Sequence, residues 1–366
     1  MTLTQEHIMQ VNASLHPNHL FTAPTYIVLG VNNICNLHCK MCDVGMQYNQ
    51  SNFYNNLMSS HPINMPLELI EKIIDQTALY FPKTKIGYAF TEPLIYPHLS
   101  ESLRYAASKK LYTSVTTNAL NLKMKAKEIV EAGLNEINIS LDGPEEIHNE
   151  IRGHKSSFKR AIEGIDVLLA QEKPSKISVY CVITEWNVGH LQELLNYLKK
   201  MPLHTVGFMH TCYTTDAMAT LHNQLYGQYQ ATASNVSDTN IAVTNTNILF
   251  EEITAIKKST YPFKVVFSPE LNTKIELQNF YQQPQSKFGT TCFDVYRTLM
   301  IKTDGTAIPA HGRCYNVTVG NIYEQSLKQI WNGKPIADLR TSLKKAGGLF
   351  PACTRCCSAF QKPFWK

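Results

Sequence analysis

The chain has 366 residues, a formal net charge of +5 and 44% hydrophobic residues, which is ordinary for a globular protein. It contains no apolar run of the roughly 18 residues that a membrane-spanning helix needs. It also lacks a basic start followed by an apolar stretch, so we predict a cytoplasmic protein that does not bind membranes. No basic block indicates a nucleic-acid partner. The ten cysteines are expected to be metal or redox ligands rather than disulfides.

Short β-branched stretches alternate with helical patterns from residue 25 to residue 212. The predicted strands are Thr25–Val31, Lys85–Phe90, Tyr112–Thr117, Glu136–Leu141, Ile177–Ile183 and Thr205–His210. The predicted helices between them are Pro66–Tyr80, Leu99–Lys109, Lys123–Ala132, Ser157–Gln171 and Val188–Lys200. This alternation predicts parallel βαβ units, and six of them form an α/β fold of the partial (β/α)6 TIM-like barrel type. Functional residues of such barrels gather where the strands end.

The rest of the chain divides into three segments. Residues 1–24 form a lead segment, and residues 213–290 a bridging region that is rich in Ser, Thr and Asn between 231 and 247. Within the bridge, Leu249–Lys258 is helix-like and Phe263–Phe267 is strand-like. Residues 291–366 hold five cysteines, which predicts a second, metal-binding domain.

Three cysteines, Cys35, Cys39 and Cys42, directly follow the first predicted strand in a Cys-x3-Cys-x2-Cys run. Three thiolates in one loop can hold three corners of a cubane iron–sulfur cluster and leave the fourth iron free. The run resembles that of the radical S-adenosylmethionine (SAM) enzymes. The resemblance implies that a 4Fe–4S cluster binds SAM through its free iron. It further implies that reductive cleavage of SAM produces a 5′-deoxyadenosyl radical, which abstracts hydrogen from a substrate.

Further motifs of this family follow the next strands. Phe90-Thr91-Glu92-Pro93 resembles a Gly-Gly-Glu-Pro motif, which implies that Thr91 and Glu92 bind the SAM amino group. Thr116-Thr117-Asn118-Ala119 resembles Thr-Thr-Asn-Gly, so Asn118 is a candidate for contact with SAM, although a turn-forming Asn explains the same residue. Met41 occupies the position of an aromatic residue that lies against adenine, and its sulfur suits the same contact.

The fourth predicted strand carries a polar row, in which Asn138, Ser140 and Asp142 alternate with apolar residues. An inward polar row needs hydrogen-bond partners, which a ligand or a core network can supply. The stretch from 139 to 153 resembles the family here. It implies that Ser140 and Arg152 bind the SAM carboxylate and that Asp142 binds a ribose hydroxyl, with a core network as the alternative for Asp142.

The C-terminal cysteines form a second group. The four predicted ligands are Cys292, Cys314, Cys353 and Cys356, with Cys357 as the rival for the last position. Their spacing suits zinc and a cubane cluster equally well. Residues 304–305, 319–322 and 327–331 resemble the C-terminal domains called SPASM and twitch, which implies one auxiliary 4Fe–4S cluster that serves as an electron relay.

Near the end of the sixth predicted strand lie Cys212, His210 and Asp216. We predict Cys212 as a hydrogen donor to a substrate radical, and His210 or Asp216 as a general base. A buried cysteine and a core histidine are the alternative explanations.

Together these patterns predict a radical SAM enzyme that oxidises, cross-links or epimerises a peptide or a small polar metabolite. The resemblance implies a reductant such as flavodoxin or ferredoxin. Because 24 residues are too few for a peptide-recognition domain, a separate protein would deliver a peptide substrate. The alternatives are a sugar-alcohol dehydrogenase of the same superfamily and a non-catalytic iron–sulfur or zinc-binding regulator.

Overall fold

The computed structural model describes residues 4–315 and 317–360. Its strands are β1 Tyr26–Leu29, β2 Lys85–Tyr88, β3 Thr113–Thr117, β4 Glu136–Ser140, β5 Lys176–Ile183, β6 Thr205–His210, β7 Lys264–Ser268, β8 Thr298–Ile301, β9 Thr306–Pro309 and β10 Gly320–Asn321. Its helices are α1 Gln5–Leu15, α2 Asn52–Leu57, α3 Leu67–Tyr80, α4 Leu99–Ser108, α5 Leu122–Glu131, α6 Glu145–Arg152, α7 Ser157–Leu169, α8 Leu191–Leu198, α9 Asp216–Leu225, α10 Thr246–Lys258, α11 Lys274–Gln282, α12 Leu327–Trp331 and α13 Lys334–Lys345. No helix of the described residues is long and apolar enough to cross a bilayer.

All strands belong to one sheet, in the order β10-β9-β8-β1-β2-β3-β4-β5-β6-β7. Strands β1 to β8 run parallel to one another, and β8, β9 and β10 form an antiparallel meander at one edge. The sheet ends in two edge strands and is therefore open, which confirms the predicted partial barrel.

Four strands, β7 to β10, lie outside the predicted barrel segment of residues 25–212, and two of them pair with barrel strands. Strand β7 comes from the bridging region and pairs with β6, and β8 comes from the C-terminal segment and pairs with β1. The bridge and the C-terminal segment thus extend the barrel sheet at its two edges. The first three and last six positions of the chain, which belong to the predicted lead and C-terminal segments, lie outside the described residues.

The two faces of the sheet differ in chemistry because successive side chains of a strand point to opposite sides. One face carries aliphatic residues such as Ile86, Val115 and Ile137, all fully buried under the helices. The other face is the barrel interior and carries polar or small residues. At Gly87 on this face a Cβ atom would lie 2.4 Å from the hydroxyl of Tyr26, so only glycine leaves room for that ring.

The lead segment is tied to the C-terminal segment. Asn332 exchanges two hydrogen bonds with the main chain of Leu20, at 2.9 and 3.0 Å, and the indole of Trp331 donates to the carbonyl of Thr22 at 2.8 Å. The lead segment and the C-terminal segment therefore pack together.

Candidate radical SAM and auxiliary cluster sites

The loop after β1 carries Cys35, Cys39 and Cys42 as free thiols, and all three pack at the same small apolar cluster. Two main-chain hydrogen bonds fix its backbone. Within the loop, the amide of Cys42 donates to the carbonyl of Cys39 at 3.1 Å, and the amide of Lys40 joins the loop to α6 by donating to the carbonyl of Ile151 at 2.9 Å. Burial raises the pKa of Cys39 to about 12, and the nearby charge of Arg152 opposes that rise. Three thiols in one loop beside a cation fit a cluster with three protein ligands.

Arg152 contacts this loop directly. Its Nη1 lies 3.7 Å from the sulfur of Cys39, and its Nε donates to a carboxylate oxygen of Asp142 at 2.5 Å. The side chain of Arg152 keeps 10% of its surface exposed, whereas that of Asp142 has none. Arg152 is therefore positioned to hold a thiolate on one side and to meet a ligand on the other.

Asp142 is occupied by protein groups. Besides Arg152, its carboxylate accepts the amide of Val182 at 2.9 Å, and its main chain bonds the side chains of His148 and Asn187. This core network is the alternative that the sequence left open. The contacts favour this alternative over a ribose hydroxyl, because the carboxylate of Asp142 turns inward onto Arg152.

Glu92 also has a buried carboxylate, with 1% of the residue exposed. It accepts hydrogen bonds from the Thr117 hydroxyl at 2.6 Å and from the amides of Asn118 and Leu94 at 2.8 and 2.9 Å. Burial raises its pKa, and these donors oppose the rise. Glu92 thus ties the ends of β2 and β3 together, and its carboxylate is occupied by protein donors.

Asn118 reaches the cysteine loop from the end of β3. Its side-chain amide donates to Asn36 at 2.8 Å and lies 4.0 Å from the sulfur of Cys35. Its side-chain oxygen accepts the amide of Leu120 at 2.9 Å, so the turn-forming contact expected of an Asn is present as well.

The segment before Glu92 departs from the glycines of the family motif. The hydroxyl of Thr91 lies 2.8 Å from the carbonyl of Asn32, whose side chain donates to the Glu92 carbonyl at 2.9 Å. Phe90 has a φ of +85°, a conformation that glycine adopts without strain and that costs other residues about 1–2 kcal/mol. Phe90 thus holds a left-handed conformation that a glycine at this position would adopt without strain.

Ser140 and Met41 have different surroundings. Ser140 is partly exposed on the interior face of β4, in register with Tyr180 of β5. Met41 is 6% exposed and packs in a small apolar cluster with Leu37, Leu120 and Ile151. Met41 thus supports the loop from below, which is a packing role that its sequence position did not indicate.

The predicted C-terminal ligands line a buried cavity, which forms the second candidate site. Its lining includes the four cysteines 292, 314, 353 and 356 together with Cys212 and His311. Burial raises the pKa of Cys353 to about 11 and those of Cys292 and Cys314 well above the usual range. Four converging thiols in a buried cavity fit a cluster or a tetrahedral metal.

Cys356 differs from the other thiols of this cavity. Hydrogen bonds from Cys212 and Cys357 hold its pKa well below the usual range, and His311 Nε2 lies 3.5 Å from its sulfur. Cys357 does not line the cavity. Of the two rivals for the last ligand position, Cys356 is therefore the one that faces the other three cysteines.

The three predicted catalytic residues lie in three different environments in the structure. Cys212 joins the C-terminal thiols, and its sulfur accepts the amide of Cys357 at 3.2 Å. His210 is fully buried on the outer face of β6, where its Nδ1 lies 2.7 Å from the hydroxyl of Tyr281. Burial lowers the pKa of His210 to about 3, and its surroundings favour the alternative of a core histidine over a general base. Asp216 is exposed at the start of α9, where a carboxylate stabilises the helix, and it is not part of this cavity.

One network was not predicted from the sequence. Asp43, adjacent to Cys42, is fully buried and accepts the Ser234 hydroxyl and the Asn235 amide, both at 2.7 Å. Ser234 in turn accepts Arg313, next to Cys314, at 2.9 Å, and the side chain of Asn235 donates to the carbonyl of Cys212 at 3.2 Å. The two cysteine sites are thus joined by a buried polar bridge. A single Asp after the third cysteine gives no signal of such a bridge.

Comparison with known proteins identifies both parts of the chain. Residues 30–198 match the radical SAM superfamily, and residues 292–357 match SPASM, an iron–sulfur cluster-binding domain. The Fe-coproporphyrin III synthase of Methanosarcina barkeri (strain Fusaro / DSM 804) is 23% identical over 353 residues, which cover 90% of this chain and 80% of that protein. The GTP 3′,8-cyclase of Helicobacter pylori (strain ATCC 700392 / 26695) is 30% identical over 48% of this chain. That alignment spans about half of the cyclase, 52% of its length.

Two solved structures share the fold. Streptococcus suis SuiB bound to its precursor peptide SuiA has a TM-score of 0.59 at 17% identity, covering 96% of this chain and 77% of SuiB. The enzyme anSMEcpe with bound AdoMet and the Cp18Cys peptide has a TM-score of 0.59 at 18% identity, covering 93% of this chain and 91% of anSMEcpe. The family matches confirm the predicted cofactor class of SAM with iron–sulfur clusters. The chain is a radical SAM enzyme with a C-terminal SPASM-type iron–sulfur domain.

Proposed function

We propose that this enzyme cleaves SAM reductively and uses the resulting 5′-deoxyadenosyl radical to abstract hydrogen from a C–H bond of a peptide. When bound at Cys35, Cys39 and Cys42, a 4Fe–4S cluster supplies the electron for this cleavage. The observation that carries the proposal is the three-thiol loop, which Arg152 contacts at Cys39 and Asn118 at Cys35.

Different residues around the loop bind different groups of SAM. Arg152 offers a planar fork of donors for the SAM carboxylate, and Asp142 fixes the fork by a buried ion pair. Ser140 supplies a hydroxyl on the interior face of the sheet. For the amino group of SAM, the main chain of Thr91 and Glu92 is better suited than the Glu92 carboxylate, whose oxygens accept three protein donors.

The second cavity holds one auxiliary 4Fe–4S cluster in this proposal, with Cys292, Cys314, Cys353 and Cys356 as its ligands. Four cysteines satisfy all iron atoms of a cubane, which suits electron transfer rather than substrate binding at iron. The polar bridge through Asp43 supports an exchange of electrons between the two sites, because it fixes their relative position.

A peptide is the favoured substrate because SuiB and anSMEcpe, which share the fold over more than nine-tenths of this chain, are both described with bound peptides. A flavodoxin or ferredoxin would supply the reducing electron, and a separate protein would deliver the peptide. A tetrapyrrole is the second candidate, because the similarity to the Fe-coproporphyrin III synthase extends over 90% of the chain.

Anaerobic reconstitution tests the proposal. We expect about eight irons per chain, an EPR signal of one cluster that changes on addition of SAM, and 5′-deoxyadenosine after reduction with dithionite. The variant with alanine at Cys35, Cys39 and Cys42 should keep about four irons and produce no 5′-deoxyadenosine. Zinc in place of iron, or no 5′-deoxyadenosine from the wild type, would refute the proposal.

Isotope transfer separates the two substrate classes. The enzyme is incubated with a deuterated peptide mixture or with a deuterated iron tetrapyrrole, and deuterium is measured in the 5′-deoxyadenosine. Label from the peptides alone supports peptide modification. Label from the tetrapyrrole alone would replace that proposal with the second candidate.

A further inference from the structure

The cavity of the auxiliary site holds more thiols than a cubane cluster needs. Besides the four proposed ligands, Cys212 lines the same cavity, and Cys357 follows Cys356 in the chain. The sulfur atoms of Cys212, Cys356 and Cys357 lie within 4.8 Å of one another. Cys212 and Cys356 line the cavity and Cys357 does not, but its sulfur lies within the same distance, so three thiols are concentrated at this corner of the site.

This spacing allows the three thiols to share one metal position. A metal–thiolate bond is about 2.3 Å long, so two sulfurs that reach the same metal ion are at most about 4.6 Å apart. The sulfurs of this corner meet that limit with a small shift of a side chain. Among the described residues, Cys292, Cys314 and Cys353 are not part of such a group.

The corner is also held in place by contacts between distant parts of the chain. The amide of Tyr213 donates to the carbonyl of Arg355 at 3.4 Å, and the hydroxyl of Thr214 donates to the carbonyl of Ala352 at 3.3 Å. Arg355 is fully buried and its guanidinium binds main-chain carbonyls at the end of α11, including that of Phe280 at 2.8 Å. The end of β6 and the turn with the last two cysteines therefore keep a fixed separation.

We propose that Cys212, Cys356 and Cys357 are interchangeable ligands for one corner iron of the auxiliary cluster. The inference rests on the proposed function, because it needs a cluster in this cavity. Cys356 is the resident ligand, since it faces Cys292, Cys314 and Cys353, and the two others replace it when it is lost. Cys212 then supplies a ligand from the barrel to a cluster that is otherwise held by the C-terminal segment.

Iron content of reconstituted variants tests this proposal without an activity assay. Cys356→Ala should keep about eight irons per chain and show a changed EPR signal of the auxiliary cluster, because a different thiol completes the corner. The matched control Cys292→Ala has no spare thiol and leaves one iron without a cysteine, so it should lose that iron on brief oxidation and show a 3Fe–4S EPR signal that Cys356→Ala does not show. The triple variant Cys212→Ala/Cys356→Ala/Cys357→Ala should lose its corner iron in the same way.

The outcomes separate this inference from the proposed function. If the wild type itself fails to reach about eight irons, the proposed function fails. If the wild type reaches that content but Cys356→Ala falls as far as Cys292→Ala, the interchange is refuted. It is equally refuted if the triple variant keeps its iron, because His311 or another group must then complete the corner. The double variant Cys212→Ala/Cys357→Ala retains Cys356 and should keep the full content, which excludes misfolding as the cause of a loss.

Discussion

Gly45 offers a sharp test of how the cysteine loop is built. It lies three residues after Cys42, where the chain folds back against the loop. A Cβ atom at this position would lie 2.5 Å from the amide nitrogen of Cys39, 2.6 Å from its carbonyl oxygen and 3.1 Å from the carbonyl carbon of His38. All three are backbone atoms, so no side-chain rotation relieves the contact.

The size of the disturbance follows from these distances. Ordinary contact begins near 3.4 Å, so the backbone of Cys39 must move by about 0.9 Å in the Gly45→Ala variant. Functional groups need to be held to within about 0.5 Å. We therefore expect the variant to lose about 1–3 kcal/mol in its free energy of unfolding, as other overpacked sites do. It should also fail to assemble the cluster of this loop.

The assay is anaerobic reconstitution followed by iron analysis and EPR. Gly45→Ala should bind about four irons instead of about eight, and SAM should no longer change the EPR signal. Gly227→Ala is the matched control, because Gly227 is exposed and its Cβ would meet nothing within 4 Å. Full iron content and a SAM-dependent signal in Gly45→Ala would refute the reasoning.

Four further predictions concern stability, each measured by urea unfolding of the metal-free protein. Arg152→Met leaves the carboxylate of Asp142 buried without its partner and should cost about 3–5 kcal/mol, much of which the additional change Asp142→Asn should restore; equal losses in the single and double variants would contradict this. Asp43→Asn points its side-chain NH2 at either the Ser234 hydroxyl or the Asn235 amide, both of which donate to the native carboxylate, and should cost about 1–3 kcal/mol. Unchanged stability would show that the bridge does not hold the loop. Burial holds the pKa of His148 in the folded protein well below 6.5, the usual value, which applies to the unfolded chain. As the pH falls below 6.5 the unfolded chain takes up a proton that the buried imidazole does not, so the fold loses stability. Between pH 7.5 and pH 5.5 the wild type should lose about 1.4 kcal/mol more than His148→Gln, and parallel pH curves would rule this out. Lys110 is exposed with a φ of +60°, so Lys110→Gly should stabilise the protein by about 1 kcal/mol, whereas a loss would mean that its side chain makes an unrecognised contact.

The strands of the barrel were predictable because each is a short run with buried apolar residues, many of them β-branched or aromatic, between helical stretches. Thr205–His210 has the same bounds in the sequence prediction and in the structure, and the other strands differ by a few residues at their ends. The pairing of Lys264–Ser268 and Thr298–Ile301 with the barrel was not predictable. Periodicity shows that a segment is extended, but it does not show which strand it pairs with.

The candidate site shows a similar division. Motif spacing located the thiols and the residues that surround them, because these depend on short stretches of chain. Side-chain direction was harder. His210 shares the outer face of β6 with Val206 and Phe208, and a count along the strand would have placed it there. Asp142 follows the strand, where alternation no longer determines the direction of a side chain, and only the structure shows its bond to Arg152.

The pairing of β8 with β1 has a consequence for how this protein can be divided. Strand β1 leads into the loop of Cys35, Cys39 and Cys42, and its two neighbours are β2 and β8. A chain cut before β8 would leave β1 as an edge strand with unpaired amides and carbonyls, open to association with other chains. The C-terminal segment is therefore no detachable module. Exchanging it for that of a relative would alter the support of the first cysteine loop as well as the second cavity.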